Sequence, residues 1–129
     1  MSTIFKVGLD IHGVTDTNPF FKEMARLMVM EGHEVHIITG ASTRRAIKDL
    51  KRLEMKDGEH YTHIHSITDH LISNGVPVEW KDPSNPMFPD KEWDIEKAKY
   101  CCQNQITIHF DDSLHYGTDF VTPFAHYKQ

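Results

Sequence analysis

Four short stretches hold side chains that could do chemistry together. They are Asp10, His12 and Gly13 in GLDIHGV, Thr39 and Gly40 in HIITG, Lys97 in IEKAK, and Asp111 and Asp112 in IHFDDS. Carboxylates gathered in a semi-buried cleft repel one another, and a hard divalent cation resolves this. Mg2+ suits such a place because it takes one or two carboxylates, a carbonyl and waters. A threonine hydroxyl donates to phosphate oxygens, and a lysine ammonium adds a compact positive charge. An aspartate can itself attack phosphorus and form an aspartyl-phosphate. Together these are the parts of a phosphoryl-transfer site with Mg2+ as cofactor. Each has a plainer reading alone: Asp10 as a turn or cap aspartate, Thr39 as a β-branched strand residue, Lys97 as a solvated helix lysine competing with Lys91 and Lys99.

The elements that must position these residues are legible in the periodicity. IFKVGL (4–9) reads as a strand. Asn18-Pro19 opens a helix, since asparagine caps well and proline suits the first helical position, and Gly32 closes it. HEVHIITG (33–40) reads as a second strand. Ser42 or Thr43 caps a polar helix that reaches about Met55, before the Asp57-Gly58 break. YTHIHSI (61–67) alternates as a third strand does, and TDHLISNG follows as a short helix. The segment 76–90 holds Pro77, Pro83, Pro86 and Pro89 and reads as a long loop. Asp90 or Lys91 opens a helix through WDIEKAKYCC. QITIHF (105–110) is a fourth strand ending on the paired aspartates. FVTPFAHY is a fifth strand, at an edge because Pro123 cannot donate to a ladder.

Strands alternating with helices predict a three-layer α/β/α, Rossmann-like fold with a mostly parallel sheet of about five strands. The length of 129 residues favours one domain spanning 1–129. In such sheets the ligand site lies outside the carboxyl ends of the strands. Asp10, Thr39 and Asp111–Asp112 all fall at such ends.

With 14 basic and 19 acidic side chains the net charge is −5. The densest basic run, Arg44-Arg45 with Lys48, Lys51 and Arg52, reads as the solvated face of a helix, which argues against nucleic-acid binding. No apolar run of the roughly eighteen residues a span needs is present, so no membrane is expected. The opening MSTIFKVG has no secretion-signal pattern. Cys101 and Cys102 are adjacent and cannot staple distant segments, which suits a reducing cytoplasmic setting.

In the order of these parts the chain resembles the haloacid dehalogenase-like superfamily of phosphohydrolases. LDIHGV is similar to its first motif, HIITG to its second, Lys97 to its helical lysine, and IHFDDS to its paired-aspartate motif. The resemblance covers nearly the whole chain, and the short gaps leave no room for a large cap domain. It implies that Asp10 is the nucleophile and a Mg2+ ligand, and that the backbone carbonyl of His12 is a second ligand. Gly13 would let the backbone turn beside the phosphate. Thr39 and the Gly40 amide would hold the transferring group, Lys97 would neutralise charge, and Asp111 or Asp112 would complete the metal shell. A receiver domain, with its acidic pair first and its lone aspartate mid-chain, has the reverse order.

One position departs from the superfamily pattern. His12 stands where its phosphatases usually carry an aspartate that protonates the leaving oxygen and then activates water. Imidazole titrates near neutrality and can do both jobs. Three roles are open: a substituted acid/base, a slower or altered phosphotransfer, or a relic in a binding module that keeps the metal site. The substrate expected is a small phosphorylated molecule, with nucleotides, sugar phosphates and macromolecular phosphate ends all open, and a partner subunit could serve as a lid. Trp80 and Phe88 could form a substrate-facing wall. His63 and His65 face the same way on one strand, but a zinc site wants three or four ligands with recognisable spacing and nothing completes this one.

Overall fold

The computed structural model describes residues 3–83 and 85–128. Along the chain the strands are β1 (Lys6–Leu9), β2 (Glu34–Thr39), β3 (His63–Ser66), β4 (Glu79–Trp80), β5 (Pro86–Met87), β6 (Ile108–Asp111) and β7 (Phe124–His126). The helices are α1 (Pro19–Met30), α2 (Thr43–Arg52), α3 (Ile67–Ser73) and α4 (Asp90–Gln103). Five strands make one sheet in the order β3-β2-β1-β6-β7, with every neighbouring pair parallel. The expected α/β architecture is present, and the sheet is wholly parallel. β7 lies at the edge as expected but begins only after Pro123, whose carbonyl accepts from the His109 amide at 3.0 Å.

Strand alternation sorts the two faces. Val7, Leu9, Val35 and Ile37 pack with Phe21 and Ala25 of α1 and with Ala46 and Leu50 of α2. The intervening residues point the other way, where Ile38 packs with Cys101 of α4 and with Ile106. Gly8 lies between Ile38 and His109 on that second face. A Cβ there would come within 2.7 Å of His109 Nδ1 and 2.9 Å of Ile38 Cδ1. The bare backbone at position 8 therefore lets His109 lie across the sheet.

The helix starts follow the expected chemistry. The Asn18 side chain accepts from the Phe20 amide at 2.9 Å ahead of Pro19, and Ser42 Oγ accepts from the Arg45 amide at 3.2 Å. α2 ends at Arg52, a little earlier than expected, because Glu54 turns to φ 59°. The proline-rich segment is not all loop. β4 and β5 form an antiparallel hairpin inside it, pairing Glu79 with Met87 and Trp80 with Pro86. Asp111 is the last residue of β6 rather than the first after it.

Candidate functional site

Parallel pairing sets the functional side chains level at one edge of the sheet. The register pairs Leu9 with Ile37 on one side and with Phe110 on the other, and the Asp10 amide donates to the Phe110 carbonyl at 3.2 Å. Asp10 is thereby level with Asp111. Its Oδ1 accepts from the Ile11 amide at 2.9 Å, and its Oδ2 lies 3.3 Å from Lys97 Nζ. The chain then turns sharply through residues 11–15, closed by Thr15 Oγ1 donating to the Asp10 carbonyl at 2.6 Å. Gly13 sits at φ 83°, and a Cβ there would meet Asp112 Oδ2 at 2.1 Å. Only glycine allows both the turn and the approach of Asp112.

Lys97 is the lysine of α4 that enters the site, while Lys91 and Lys99 are exposed. It is 2 % exposed and bonds Asp111 Oδ2 at 2.7 Å. Asp111 is fully buried, and its Oδ2 also accepts from His109 Nε2 at 2.9 Å while its Oδ1 accepts from the Ser113 amide at 3.0 Å. Burial would raise the Asp111 pKa, but the His109 hydrogen bond and the Lys97 charge outweigh it and hold the carboxyl well below its ordinary value. Burial pushes His109 down, so it is a neutral donor. Burial would also lower Lys97, but the Asp10 and Asp111 carboxylates outweigh it and raise the ammonium. His109 was not singled out in the sequence. Its spacing of two from Asp111 on one strand places both on the same side, and that was the available signal.

The three carboxylates of Asp10, Asp111 and Asp112 come within 4.8 Å of one another. Asp111 has both oxygens engaged by protein donors. Asp112 is exposed, and its side chain has no hydrogen bond or ion pair among the described residues. One lysine does not balance the group. Burial, only partly opposed by Lys97 and reinforced by Asp111 and Asp112, raises Asp10 from 3.8 to about 6. The donor set of Asp10, Asp111 and Asp112 and its shortage of positive charge fit a hard divalent cation, with Asp112 the carboxylate that no protein donor among the described residues engages.

This charge balance has a thermal consequence. A carboxyl whose folded pKa is raised contributes stability below its ordinary value and loses it as pH rises through the folded value, here about 6. Without metal an Asp10 contribution of at most roughly 3 kcal/mol should therefore be lost between about pH 4 and pH 6, and the melting temperature should fall across that range. A cation favours the ionised form, so added Mg2+ should raise the melting temperature more at about pH 7.5 than at about pH 5.5. Asp112→Asn should remove most of that rise, and an equal rise in this variant would place the metal elsewhere.

Thr39 is fully buried at the end of β2, and its Oγ1 accepts from the Ala41 amide at 3.2 Å. Two hydroxyls the sequence did not mark fasten the next turn. Thr68 Oγ1 donates to the Gly40 carbonyl at 2.7 Å and Ser66 Oγ to the Ala41 carbonyl at 2.6 Å. The Trp93 ring covers Gly40, where a Cβ would lie 3.0 Å from it. His12 is exposed, with Nε2 3.0 Å from Asp49 Oδ2 and Nδ1 3.5 Å from Asp16 Oδ2. Asp49 is buried in α2, and its Oδ2 lies beside His12 Nε2 without an aligned hydrogen bond. Nothing in the polar run 42–55 distinguishes Asp49 from its solvated neighbours.

The other singled-out residues also have clear places. Cys101 is buried, and burial pushes its thiol up to about 12, so it packs rather than reacts. Phe88 stacks on Trp93 with ring centres 5.5 Å apart. His63 and His65 do share a face, and the fold adds partners that spacing concealed. His63 stacks on His36 beside Glu34, and His65 and His70 both approach Glu96 Oε1, at 3.3 and 3.2 Å.

Fold and site together define a Rossmann-like, three-layer α/β protein with an acidic, lysine-bearing site at the carboxyl ends of its central strands. Comparisons with protein-family models, with curated proteins and with solved structures give no match. Among the described residues no helix is long and apolar enough to cross a membrane.

Proposed function

We propose that this chain is a Mg2+-dependent phosphohydrolase of the haloacid dehalogenase-like type, cleaving a phosphomonoester through an aspartyl-phosphate on Asp10. The observation that carries the reading is the meeting of Asp10, Lys97, Asp111 and Asp112, from three separate elements, at one strand edge beside Thr39. Bound at Asp10 and Asp112, Mg2+ would supply charge neutralisation for the phosphoryl oxygens. The other functions belong to the chain's own residues. The Asp10 carboxylate attacks phosphorus, the bond from phosphorus to the ester oxygen breaks, and the departing oxygen takes a proton from His12. A water then attacks the aspartyl-phosphate, gives a proton to His12, and releases phosphate and the free carboxylate. Thr39 and the Gly40 amide receive phosphoryl oxygens, and Lys97 offsets their charge next to Asp10.

The exposure of His12, two residues after Asp10, supports the acid/base role over the relic: the ring is open to solvent, with Nε2 3.0 Å from the buried Asp49 carboxylate. Leaving-group protonation matters most for poor leaving groups. His12→Ala should therefore lower kcat/KM on alkyl phosphates by roughly 10²–10⁴-fold, and on p-nitrophenyl phosphate by less. Equal rates in variant and parent on both substrates would make the histidine a bystander. The reading as a whole is tested by p-nitrophenyl phosphate turnover that needs Mg2+ and stops with a chelator. Metal uptake without turnover would favour a binding module instead. The adjacent free cysteines, one buried and one exposed, suit a cytoplasmic setting.

A further inference from the structure

A cleft of about 800 Å3 opens beside His12 and Gly40. One wall is the outer face of α2, and the other is the β4–β5 hairpin with Trp93. Its charge runs against that of the chain. The protein carries −5 overall, yet Arg44, Arg45, Lys48 and Arg52 line this cleft, with Asp49 as its one carboxylate among the described residues. Asp49 accounts for two of the four, lying 3.7 Å from Arg45 and 3.4 Å from Arg52. Arg44 and Lys48, one helical turn apart, have no carboxylate partner among the described residues. The basic face is solvated, as its sequence suggests, but the hairpin turns it into a wall.

The opposite wall is aromatic. Trp93 is held in place by its Nε1 donating to the Tyr116 hydroxyl at 2.8 Å and by its stack on Phe88. Trp80 is 52 % exposed at the cleft, and among the described residues no ring stacks on it. Unpaired cations facing an open indole are suited to one ligand chemistry: a planar base for the ring and a phosphate for the charges.

We propose that the substrate is a nucleoside bearing a second phosphate besides the one removed, with its base on Trp80 and its second phosphate between Arg44 and Lys48. This rests on the phosphohydrolase reading and names the substrate class of that site. A free nucleotide and a phosphorylated nucleic-acid end share this chemistry, and the assay separates them.

The experiment measures kcat/KM, with Mg2+, for p-nitrophenyl phosphate, a nucleoside 3′,5′-bisphosphate and a phosphate-ended trinucleotide. The parent should prefer the nucleotide substrates. Arg44→Gln/Lys48→Gln should reduce that preference by about tenfold or more. Trp80→Ala should reduce it by roughly 5–100-fold. Better use of the trinucleotide identifies a nucleic-acid end, and better use of the bisphosphate identifies a free nucleotide. No preference in the parent, or the same preference in all three proteins, overturns the cleft assignment while p-nitrophenyl phosphate turnover leaves the phosphohydrolase reading standing. Bisphosphate binding is also read by tryptophan fluorescence in the Asp10→Asn protein. Binding there that weakens with Arg44→Gln/Lys48→Gln supports the cleft even if no substrate is turned over, and absence of binding overturns it.

Discussion

Asp10→Asn should abolish Mg2+-dependent phosphatase activity and leave the folded protein at least as stable as the parent. The two halves have different causes. The amide cannot attack phosphorus, so turnover should fall to background. The same change removes a carboxylate whose ionisation is disfavoured by burial and by Asp111 and Asp112. An asparagine oxygen still accepts from the Ile11 amide, so the turn at residues 11–15 keeps its anchor. Without metal near pH 7 the variant should match or exceed parent stability, by at most roughly 3 kcal/mol. It should also lose most of the Mg2+-induced rise in melting temperature. Retained turnover would remove Asp10 as nucleophile. Marked destabilisation would mean that the carboxylate is a structural partner of Lys97 before anything else.

Lys97→Met should have the opposite profile, losing both activity and stability. The ammonium is buried between Asp10 Oδ2 at 3.3 Å and Asp111 Oδ2 at 2.7 Å. Its removal leaves two buried carboxylates facing one another. Breaking a buried pair from one side typically costs about 3–5 kcal/mol. For a domain of this size that is a fall in melting temperature on the order of 10 °C or more. The cost arises from the stranded carboxylates, so Lys97→Met with Asp111→Asn should be less destabilised than the two single effects added. Strict additivity, or an unchanged melting temperature in Lys97→Met, would show that the lysine does not hold the carboxylates together.

These residues differ in how far the sequence announces them. Asp10, Thr39 and Asp111 end apolar runs, and a parallel sheet sends all such ends to one edge, so local pattern plus one topological rule finds them. Lys97 is marked only by the resemblance, with Lys91 and Lys99 competing, because which lysine points inward depends on how α4 rotates against the sheet. His109 was hidden inside a strand pattern, although its role is to donate to Asp111. Asp49 was concealed by its charged neighbours on α2, and only the loop carrying His12 gives it meaning. Four prolines in 76–90 suggest irregular chain, whereas Pro86 in a hairpin whose strands are two residues long is compatible with pairing. Long-range closure then converts a solvated basic helix face into the wall of a cleft, which no window on α2 could show.

The most direct measurement is to trap the phosphoryl group on the protein. His12→Ala lacks the base for the second step, so intermediate should accumulate when it is mixed with p-nitrophenyl phosphate and Mg2+. Acid quenching, borohydride reduction of the acyl phosphate and peptide mass mapping should find homoserine at position 10 and nowhere else. Reduction at another residue, or no reduced residue while p-nitrophenol is released, would contradict an aspartyl-phosphate on Asp10.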